Sequence, residues 1–246
     1  MAKAKDYDYS FSPSKLNKLE CPRCFYDENK LDIAHPRGNF PGLPGGVDRV
    51  MKLTRDADRS RLPANMQRVD DGRRFHGDVA GIEKLRNWAS GLQAKLTIKD
   101  KRVRVIGAFD DIVAEADGTY SPYDDKTKGD LPKDDGAKYY QLQLDVYDLL
   151  LKENGLTPSG KAYINYHYPM VALGDDIVFG HVLYTLTTDS NRAIATLGKA
   201  IDILEGKRPP SNPKCEHCQF TGKHYALFVE EHKKLRELEL SLALKA

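Results

Sequence analysis

The chain has 246 residues, 40 % apolar and 30 % charged, with a formal net charge of +2 and a pI near 8.2. This length suits one large domain or two small ones. No apolar run approaches the ~18 residues of a membrane span, and the polar residues 1–8 lack the apolar stretch of a signal peptide. The composition therefore argues against a membrane protein or membrane partner and predicts a cytoplasmic location. The near-neutral charge does not by itself indicate nucleic-acid binding, for which a pI above ~9 is typical.

The N-terminal quarter predicts short helices separated by a loop. Ser12 is a typical N-cap and Pro13 suits the first helical position, so a short helix is predicted there, ending at Pro22. Residues 36–46 are rich in glycine and proline and predict a loop. A helix is then predicted over residues 47–58.

The rest of the chain predicts a mixture of helices and strands. Phe75, Val79, Ile82 and Leu85 recur at helical spacing, which predicts a helix over residues 73–89. The spacing then changes to two, and Asp117-Gly118 is typical of a hairpin turn. The predicted strands are 96–98, 103–106, 109–113, 119–126, 161–168 and 177–186, and the later helices are 137–153, 190–204 and 224–244. This order predicts an α/β (α+β mixed) fold, with a mixed central sheet flanked by helices.

The four cysteines form two CxxC pairs, Cys21 with Cys24 and Cys215 with Cys218. Because nothing in the sequence indicates secretion, a disulfide framework is disfavoured, and such pairs indicate a four-thiolate metal site. A shared metal would join both termini into one cap. We therefore expect a single domain, 1–246, with a helical, metal-holding cap (10–60 plus 205–246) and a core (70–205).

Asp124 and Lys126 are candidates for metal-assisted phosphodiester hydrolysis. On a strand they point to one face and Asp125 to the other. The reaction needs a carboxylate on Mg²⁺ or Mn²⁺ and a cation near the attacking water and the scissile phosphate. An exposed strand end with alternating charges would explain this tripeptide equally well.

Four further residues fit the same site. The predicted hairpin would place Asp110 beside Asp124, which suits an oxygen-preferring cation, although a turn aspartate can also cap a neighbouring backbone. His76, expected on the preceding helix, could add an imidazole, although lone helical histidines are common without such a role. Gln143 and Tyr147 are one helical turn apart and could hold a phosphate, a base or the cleaved strand, although an amphipathic helix explains them as well.

Taken together, these stretches resemble the motif series of the PD-(D/E)XK nucleases, and more narrowly their RecB-like branch. That branch includes the CRISPR-associated RecB-like exonucleases and the nuclease domains of the AddAB and RecBCD helicase complexes. The matching stretches are Gly72-x-x-Phe75-His76, Gly107-x-x-Asp110, Asp124-x-Lys126-Thr127 and Gln143-x-x-x-Tyr147. The segment from Ser12 through Cys21-Pro22-Arg23-Cys24 also resembles the N-terminal motif of the branch. The resemblance spans roughly residues 10 to 226.

The resemblance implies a restriction-endonuclease-like core and a metal-dependent DNA nuclease, an exonuclease acting on single-stranded DNA or DNA ends. It implies a helicase or a CRISPR adaptation protein as a partner. The residues implied as metal ligands are His76, Asp110, Asp124 and the backbone carbonyl of Asp125. Lys126 is implied as the catalytic lysine, and Gln143 and Tyr147 as substrate-binding residues. The alternative function is a non-catalytic nucleic-acid-binding or scaffold module of a repair or CRISPR adaptation complex.

The resemblance also bears on the cysteines. Several members hold a [4Fe–4S] cluster with one N-terminal and three C-terminal cysteines. Here the four are divided two and two, and His224 stands about where the last cysteine would be. Four thiolates suit a [4Fe–4S] cluster, which we expect, and also a structural Zn²⁺, which stays open as the alternative.

Overall fold

The computed structural model describes residues 6–33, 42–67, 72–87, 89 and 91–243, except for the side chains of 237–243. The chain divides into two units. Unit 1 comprises residues 1–16 and 38–198, and unit 2 comprises residues 17–37 and 199–246. Unit 2 is therefore built from two segments that are far apart in the sequence.

The two units contain the following secondary-structure elements. The strands are β1 (Tyr9–Phe11), β2 (Arg74–Phe75), β3 (Leu92–Ile98), β4 (Lys101–Gly107), β5 (Asp111–Ala114), β6 (Tyr120–Thr127), β7 (Lys161–Leu173) and β8 (Asp176–Thr187). The α-helices are α1 (Pro13–Leu16), α2 (Pro22–Lys30), α3 (Gly42–Ala57), α4 (Val79–Arg86), α5 (Gln141–Glu153), α6 (Ser190–Glu205) and α7 (Glu216–Ala243). Short 3-10 helices cover Asn17–Glu20 and Gly136–Tyr140.

The strands of unit 1 form two mixed sheets rather than the single central sheet that was expected. One has the order β1-β4-β3, with β1 parallel and β3 antiparallel to β4. The other has the order β2-β5-β6-β7-β8, in which only the β6–β7 pair is parallel. Helices flank these sheets, which confirms the predicted mixed α/β class. The hairpin predicted at Asp117-Gly118 joins β5 to β6, and Gly118 takes the positive φ of 82° that its turn requires.

Helix α5 anchors unit 1, because it contacts strands of both sheets, β3, β4 and β6. Four of its leucines and Val146 are fully buried, which fixes the helix against the sheets; the leucines are Leu144, Leu149, Leu150 and Leu151. Gly107 at the end of β4 permits this approach, since an added Cβ would lie 2.7 Å from Leu150 Cδ1 and 2.9 Å from Tyr147 Cε1. The same packing turns Gln143 and Tyr147 toward the end of β6.

The helix predicted over residues 73–89 is wrong in its first half. Arg74 and Phe75 form β2, and the helix begins only at Val79, where the Asp78 side chain accepts a hydrogen bond of 2.7 Å from the Gly81 N–H. Phe75 is buried in a cluster with Tyr123 and other core residues. Phe75 is apolar because it is buried against the sheet, and not because it lies on the buried face of a helix. His76, the next residue, follows a strand.

Two other predictions from the first 60 residues are corrected. Pro22 does not end a helix but begins α2, directly after the N-cap residue Cys21, where the missing N–H of proline costs nothing. The predicted loop 36–46 is wrong from Gly42 onward, because α3 begins there, and residues 36–41 lie outside the described residues. Contacts of α3 with β6 outweigh the poor helix propensity of its glycines, about 1 kcal/mol each.

No helix in the described part of the chain combines the length and the apolar character needed to cross a bilayer.

Candidate active site

Asp124 and Lys126 meet at the C-terminal end of β6, on one face of the strand. The Lys126 ammonium forms an ion pair with Asp124 Oδ2, and the Gln143 side chain donates a hydrogen bond of 2.8 Å to Asp124 Oδ1. Asp124 is buried, and Oδ2 has no hydrogen-bond donor of proper geometry among the described residues. Burial, followed by the nearby charge of Asp110, raises the pKa of Asp124 to about 7. The carboxylate is thus held where an added positive charge would be strongly stabilised.

Asp110 lies beside this pair, in the turn just before β5. The β5–β6 ladder starts at Asp111 with Tyr123, so the Asp125 amide extends beyond the end of β5. The Asp110 carboxylate takes the place of a strand partner, accepting a hydrogen bond of 3.0 Å from the Asp125 N–H at Oδ2. The two carboxylates that the hairpin was expected to bring together therefore do lie at one site.

Lys52 is a part of this site that the sequence analysis missed. Its ammonium lies 2.8 Å from Asp110 Oδ1 and 2.8 Å from Asp48 Oδ2. Burial lowers the pKa of Lys52, but the Asp110 charge and the two hydrogen bonds outweigh it, so the pKa is raised. The spacing of Asp48 and Lys52 predicts only a pair within one helix. Nothing in the sequence relates Lys52 to Asp110.

Gln143 and Tyr147 face the carboxylates from α5. The Gln143 side-chain amide also lies 3.1 Å from the Tyr147 hydroxyl, which donates a hydrogen bond of 2.6 Å to the Ala108 carbonyl. The Tyr147 ring stacks on Phe109 with centroids 4.1 Å apart. The two residues therefore tie α5 to the turn that carries Asp110 and to Asp124.

Asp125 points to the opposite face of β6, as its alternation with Asp124 predicts. Its carboxylate forms an ion pair with Arg55 and accepts hydrogen bonds from His167 Nε2 at 2.8 Å and the Tyr123 hydroxyl at 2.9 Å. Burial raises the pKa of Asp125, but the His167 hydrogen bond and the Arg55 charge outweigh it and lower the pKa overall. This buried network holds the backbone of β6 from behind.

Asp111, the neighbour of Asp110, has a carboxylate that is bound by arginine side chains. It is fully buried, and Arg59 donates to both of its carboxylate oxygens, at 2.8 and 3.0 Å, while Arg86 donates to Oδ2 at 3.2 Å. These charge-assisted bonds saturate the Asp111 carboxylate. Asp110 is therefore the aspartate of the pair that remains available to a ligand.

The contacts of His76 are with Ile112 and Tyr120 rather than with Asp110 or Asp124. The backbone N–H of His76 donates a hydrogen bond of 2.8 Å to the Ile112 carbonyl. The imidazole ring packs edge-on against the Tyr120 ring, with centroids 4.9 Å apart. Tyr120 lies four residues before Asp124, which is about 13 Å along a strand. Burial, then the Arg59 charge, lowers the pKa of His76.

A run of tyrosines extends outward from Lys126, and the sequence analysis missed it. The Lys126 ammonium lies 4.7 Å from the centre of the Tyr140 ring. Tyr140 contacts Tyr139 at 5.1 Å and Tyr166 at 6.3 Å, and Tyr166 contacts Tyr184 at 5.8 Å between ring centroids. Tyr139 is 65 % exposed. Aromatic surface is thus offered to solvent next to the candidate catalytic lysine.

The donor set fits a divalent cation that prefers oxygen ligands. The Asp110 carboxylate lies near Asp124, and one buried oxygen, Asp124 Oδ2, lacks a proper hydrogen-bond donor among the described residues. Burial and then the charge of Asp110 raise the pKa of Asp124, and a bound cation would offset both effects. Asp110 and Asp124 are the residues that would hold it.

The four cysteines form a second candidate metal site, within unit 2. Their sulfur atoms all lie within 4.8 Å of one another, and none forms a disulfide. This group of Cys21, Cys24, Cys215 and Cys218 could hold a metal ion or a cluster. His224 is not part of it, and its ring packs on Phe220 at 4.2 Å.

Comparison with known families identifies the class of protein. Residues 49–222 match the sequence model of the PD-(D/E)XK nuclease superfamily, and the chain belongs to that superfamily. The mixed α/β architecture is consistent with its restriction-endonuclease-like fold. Membership indicates a metal-dependent nuclease, and nucleases of this superfamily usually use Mg²⁺ or Mn²⁺.

The chain is also similar to a solved structure described as "Crystal structure of SSO0001", with 15 % sequence identity and a TM-score of 0.44. The similarity covers 89 % of this chain and 86 % of that one. No curated protein shows significant sequence similarity to this chain.

Proposed function

We propose that this protein is a Mg²⁺- or Mn²⁺-dependent deoxyribonuclease of the RecB-like branch that hydrolyses phosphodiester bonds as an exonuclease. The observation that carries the proposal is the convergence of Asp110, Asp124 and Lys126 at the end of β6. Two acidic groups for a metal and one ammonium for the reacting phosphate are the minimum set for this hydrolysis. No observation favours the alternative of a non-catalytic or scaffold module.

The backbone of Asp125 is the third proposed metal ligand. The N–H and C=O of one strand residue point to the same edge of the strand. Because the Asp125 N–H donates to Asp110, its carbonyl points toward Asp110 as well. The pair of Asp125 with Arg55 on the opposite face keeps this peptide from rotating.

The side chains have separate tasks in the proposed reaction. Asp110 and Asp124 would hold a metal ion, which would supply the Lewis-acid chemistry that polarises the scissile phosphate and acidifies the attacking water. Lys126 orients that water and stabilises the charge that develops on the phosphate. Gln143 fixes the Asp124 carboxylate through its 2.8 Å hydrogen bond, and Tyr147 fixes Gln143. Both were predicted to bind substrate, and their contacts support a positioning task as well.

His76 as a metal ligand stays a prediction, and its contact with Tyr120 does not support it. A helicase or a CRISPR adaptation protein as a partner also stays a prediction. The proposed substrate is single-stranded DNA or a DNA end. The tyrosines next to Lys126 support this choice, because unpaired bases stack on aromatic rings and paired bases are already stacked on each other.

The test is cleavage of end-labelled single- and double-stranded DNA by the full chain with Mg²⁺, with Mn²⁺ and with EDTA. Asp124→Asn and Lys126→Met should each lower the rate by about 100-fold or more, because each removes a group needed in the transition state. Lys128→Met is the matched control, since Lys128 is an exposed lysine two positions further along, and its ion pair among the described residues is with exposed Asp130. Circular dichroism checks that the variants are folded.

Normal cleavage by Asp124→Asn or Lys126→Met, or cleavage that persists in EDTA, would contradict the proposed mechanism. Release of internal fragments from a circular single strand would contradict the exonuclease assignment alone.

A further inference from the structure

We propose that the four cysteines of unit 2 bind a single tetrahedral Zn²⁺ ion rather than an iron–sulfur cluster. The inference rests on how closely the sulfur atoms approach. The sulfurs of Cys21 and Cys218, of Cys24 and Cys215, and of Cys24 and Cys218 are each 3.6 Å apart. None of the remaining pairs exceeds 4.8 Å.

These distances match one ion and do not match a cluster. A Zn²⁺ ion bound to four thiolates at about 2.3 Å places them about 3.8 Å from one another in a tetrahedron. A [4Fe–4S] cluster puts four irons and four sulfides between the thiolates and separates them by roughly 6 Å. The distances therefore favour the smaller occupant, Zn²⁺, over the [4Fe–4S] cluster that the resemblance implied.

The backbone around the cysteines has the same form at both pairs. Cys21 is the N-cap of α2, and Cys215 directly precedes α7. Two helix N-termini therefore face the sulfurs, and both stabilise the negative charge that thiolate ligands carry.

The burial of the clustered sulfurs also favours a bound cation. Three of the four cysteines are buried. Their sulfur atoms lie in contact with one another, at distances of 3.6 Å. At 3.6 Å the sulfurs are too far apart for disulfide bonds, which require about 2.0 Å. A thiophilic cation at the centre satisfies all four sulfurs at once.

The experiment is metal and sulfide analysis of the full chain, purified anaerobically from cells grown with both iron and zinc. We expect about one zinc ion per chain, no acid-labile sulfide and a colourless protein. X-ray absorption at the zinc edge should show four sulfur neighbours at about 2.3 Å. Four irons with sulfide and an absorbance band near ~400 nm would overturn the proposal, as would a single iron or a pair of disulfides.

Variants assign the ion to these residues. Cys21→Ser and Cys215→Ser should each lose most of the zinc, and His224→Ala should retain it, since His224 packs on Phe220 outside the group. Should the serine variants fail to fold, the spectroscopy of the unaltered chain still decides between the two occupants. Nuclease activity is not used as a readout, so the proposal stands or falls independently of the proposed function.

Discussion

At the scale of single residues, each of the two carboxylates proposed as metal ligands is paired with a lysine. Lys52 faces Asp110 and Lys126 faces Asp124, so the negative charge of the site is balanced by ammonium groups of the protein. Leaving one buried carboxylate unpaired would cost several kcal/mol. These pairs explain how the site can be assembled before a divalent ion binds. A metal bound by Asp110 then competes with Lys52 for the same oxygen.

The exposed Tyr139 yields a prediction about the substrate. Tyr139→Ala should weaken binding of single-stranded DNA by roughly 5- to 150-fold, since stacking of one base on an aromatic ring contributes about 1–3 kcal/mol. Binding to duplex DNA should change much less. Fluorescence anisotropy with labelled strands in Ca²⁺, which should suppress cleavage, measures both affinities.

Tyr225→Ala is the matched control for this prediction. Tyr225 is 70 % exposed and lies on α7, in unit 2, whereas Tyr139 lies in unit 1 and contacts Tyr140, whose ring contacts Lys126. An equal loss of affinity in both variants would show that any exposed tyrosine has this effect, and the stacking role of Tyr139 would then be rejected.

At the scale of elements, the site depends on the close approach of α5 to the end of β4. Gly107→Ala should destabilise the protein by about 1–3 kcal/mol, because the added methyl group meets Leu150 and Tyr147 in a packed core. Displacement of Tyr147 would also disturb its hydrogen bond to Ala108 and its contact with Gln143, so DNA cleavage should slow. Urea unfolding and the cleavage rate report the two effects.

Gly129→Ala serves as the control for this substitution. An added Cβ at Gly129 would meet no atom within 4 Å. The free energy of unfolding of the Gly129→Ala variant should stay within about 0.5 kcal/mol of that of the unaltered protein. If Gly107→Ala behaved in the same way, the close packing of α5 against β4 would not be a requirement of the site.

Helix α3 supports the site through two of its side chains. It carries Lys52 to Asp110 and the buried Arg55 to Asp125. Its N-terminal glycines and proline made this segment look like a loop, yet the contacts of its second half decide its conformation. Local helix propensity is worth about 1 kcal/mol per residue and yields to such buried ion pairs.

At the scale of the whole molecule, unit 2 joins two segments that are far apart in the sequence. Each segment contributes two of the four cysteines, so a bound ion would connect them directly. A zinc chelator should therefore lower the melting temperature of the protein by about 5 °C or more, because metal binding contributes to the free energy of folding. Scanning calorimetry in excess Mg²⁺, with and without the chelator, measures the shift.

Cys215→Ser provides the internal comparison for the chelator experiment. This variant should melt at the lower temperature whether or not the chelator is present, because it no longer retains the ion. A chelator effect of equal size in the variant and in the unaltered chain would place the stabilising metal elsewhere in the molecule.

The sequence by itself determined the features that follow from local periodicity. Alternation along a strand predicts that Asp124 and Lys126 share one face while Asp125 points away, and Asp117-Gly118 predicts the hairpin beside them. Only the tertiary structure decided the rest. It pairs Lys52 with Asp110 and determines the distances between the sulfur atoms. It also shows that His76 follows a short strand, where a helix was predicted. These contacts join segments that are far apart in the chain. They are determined by the packing of whole elements, and no local sequence pattern encodes that packing.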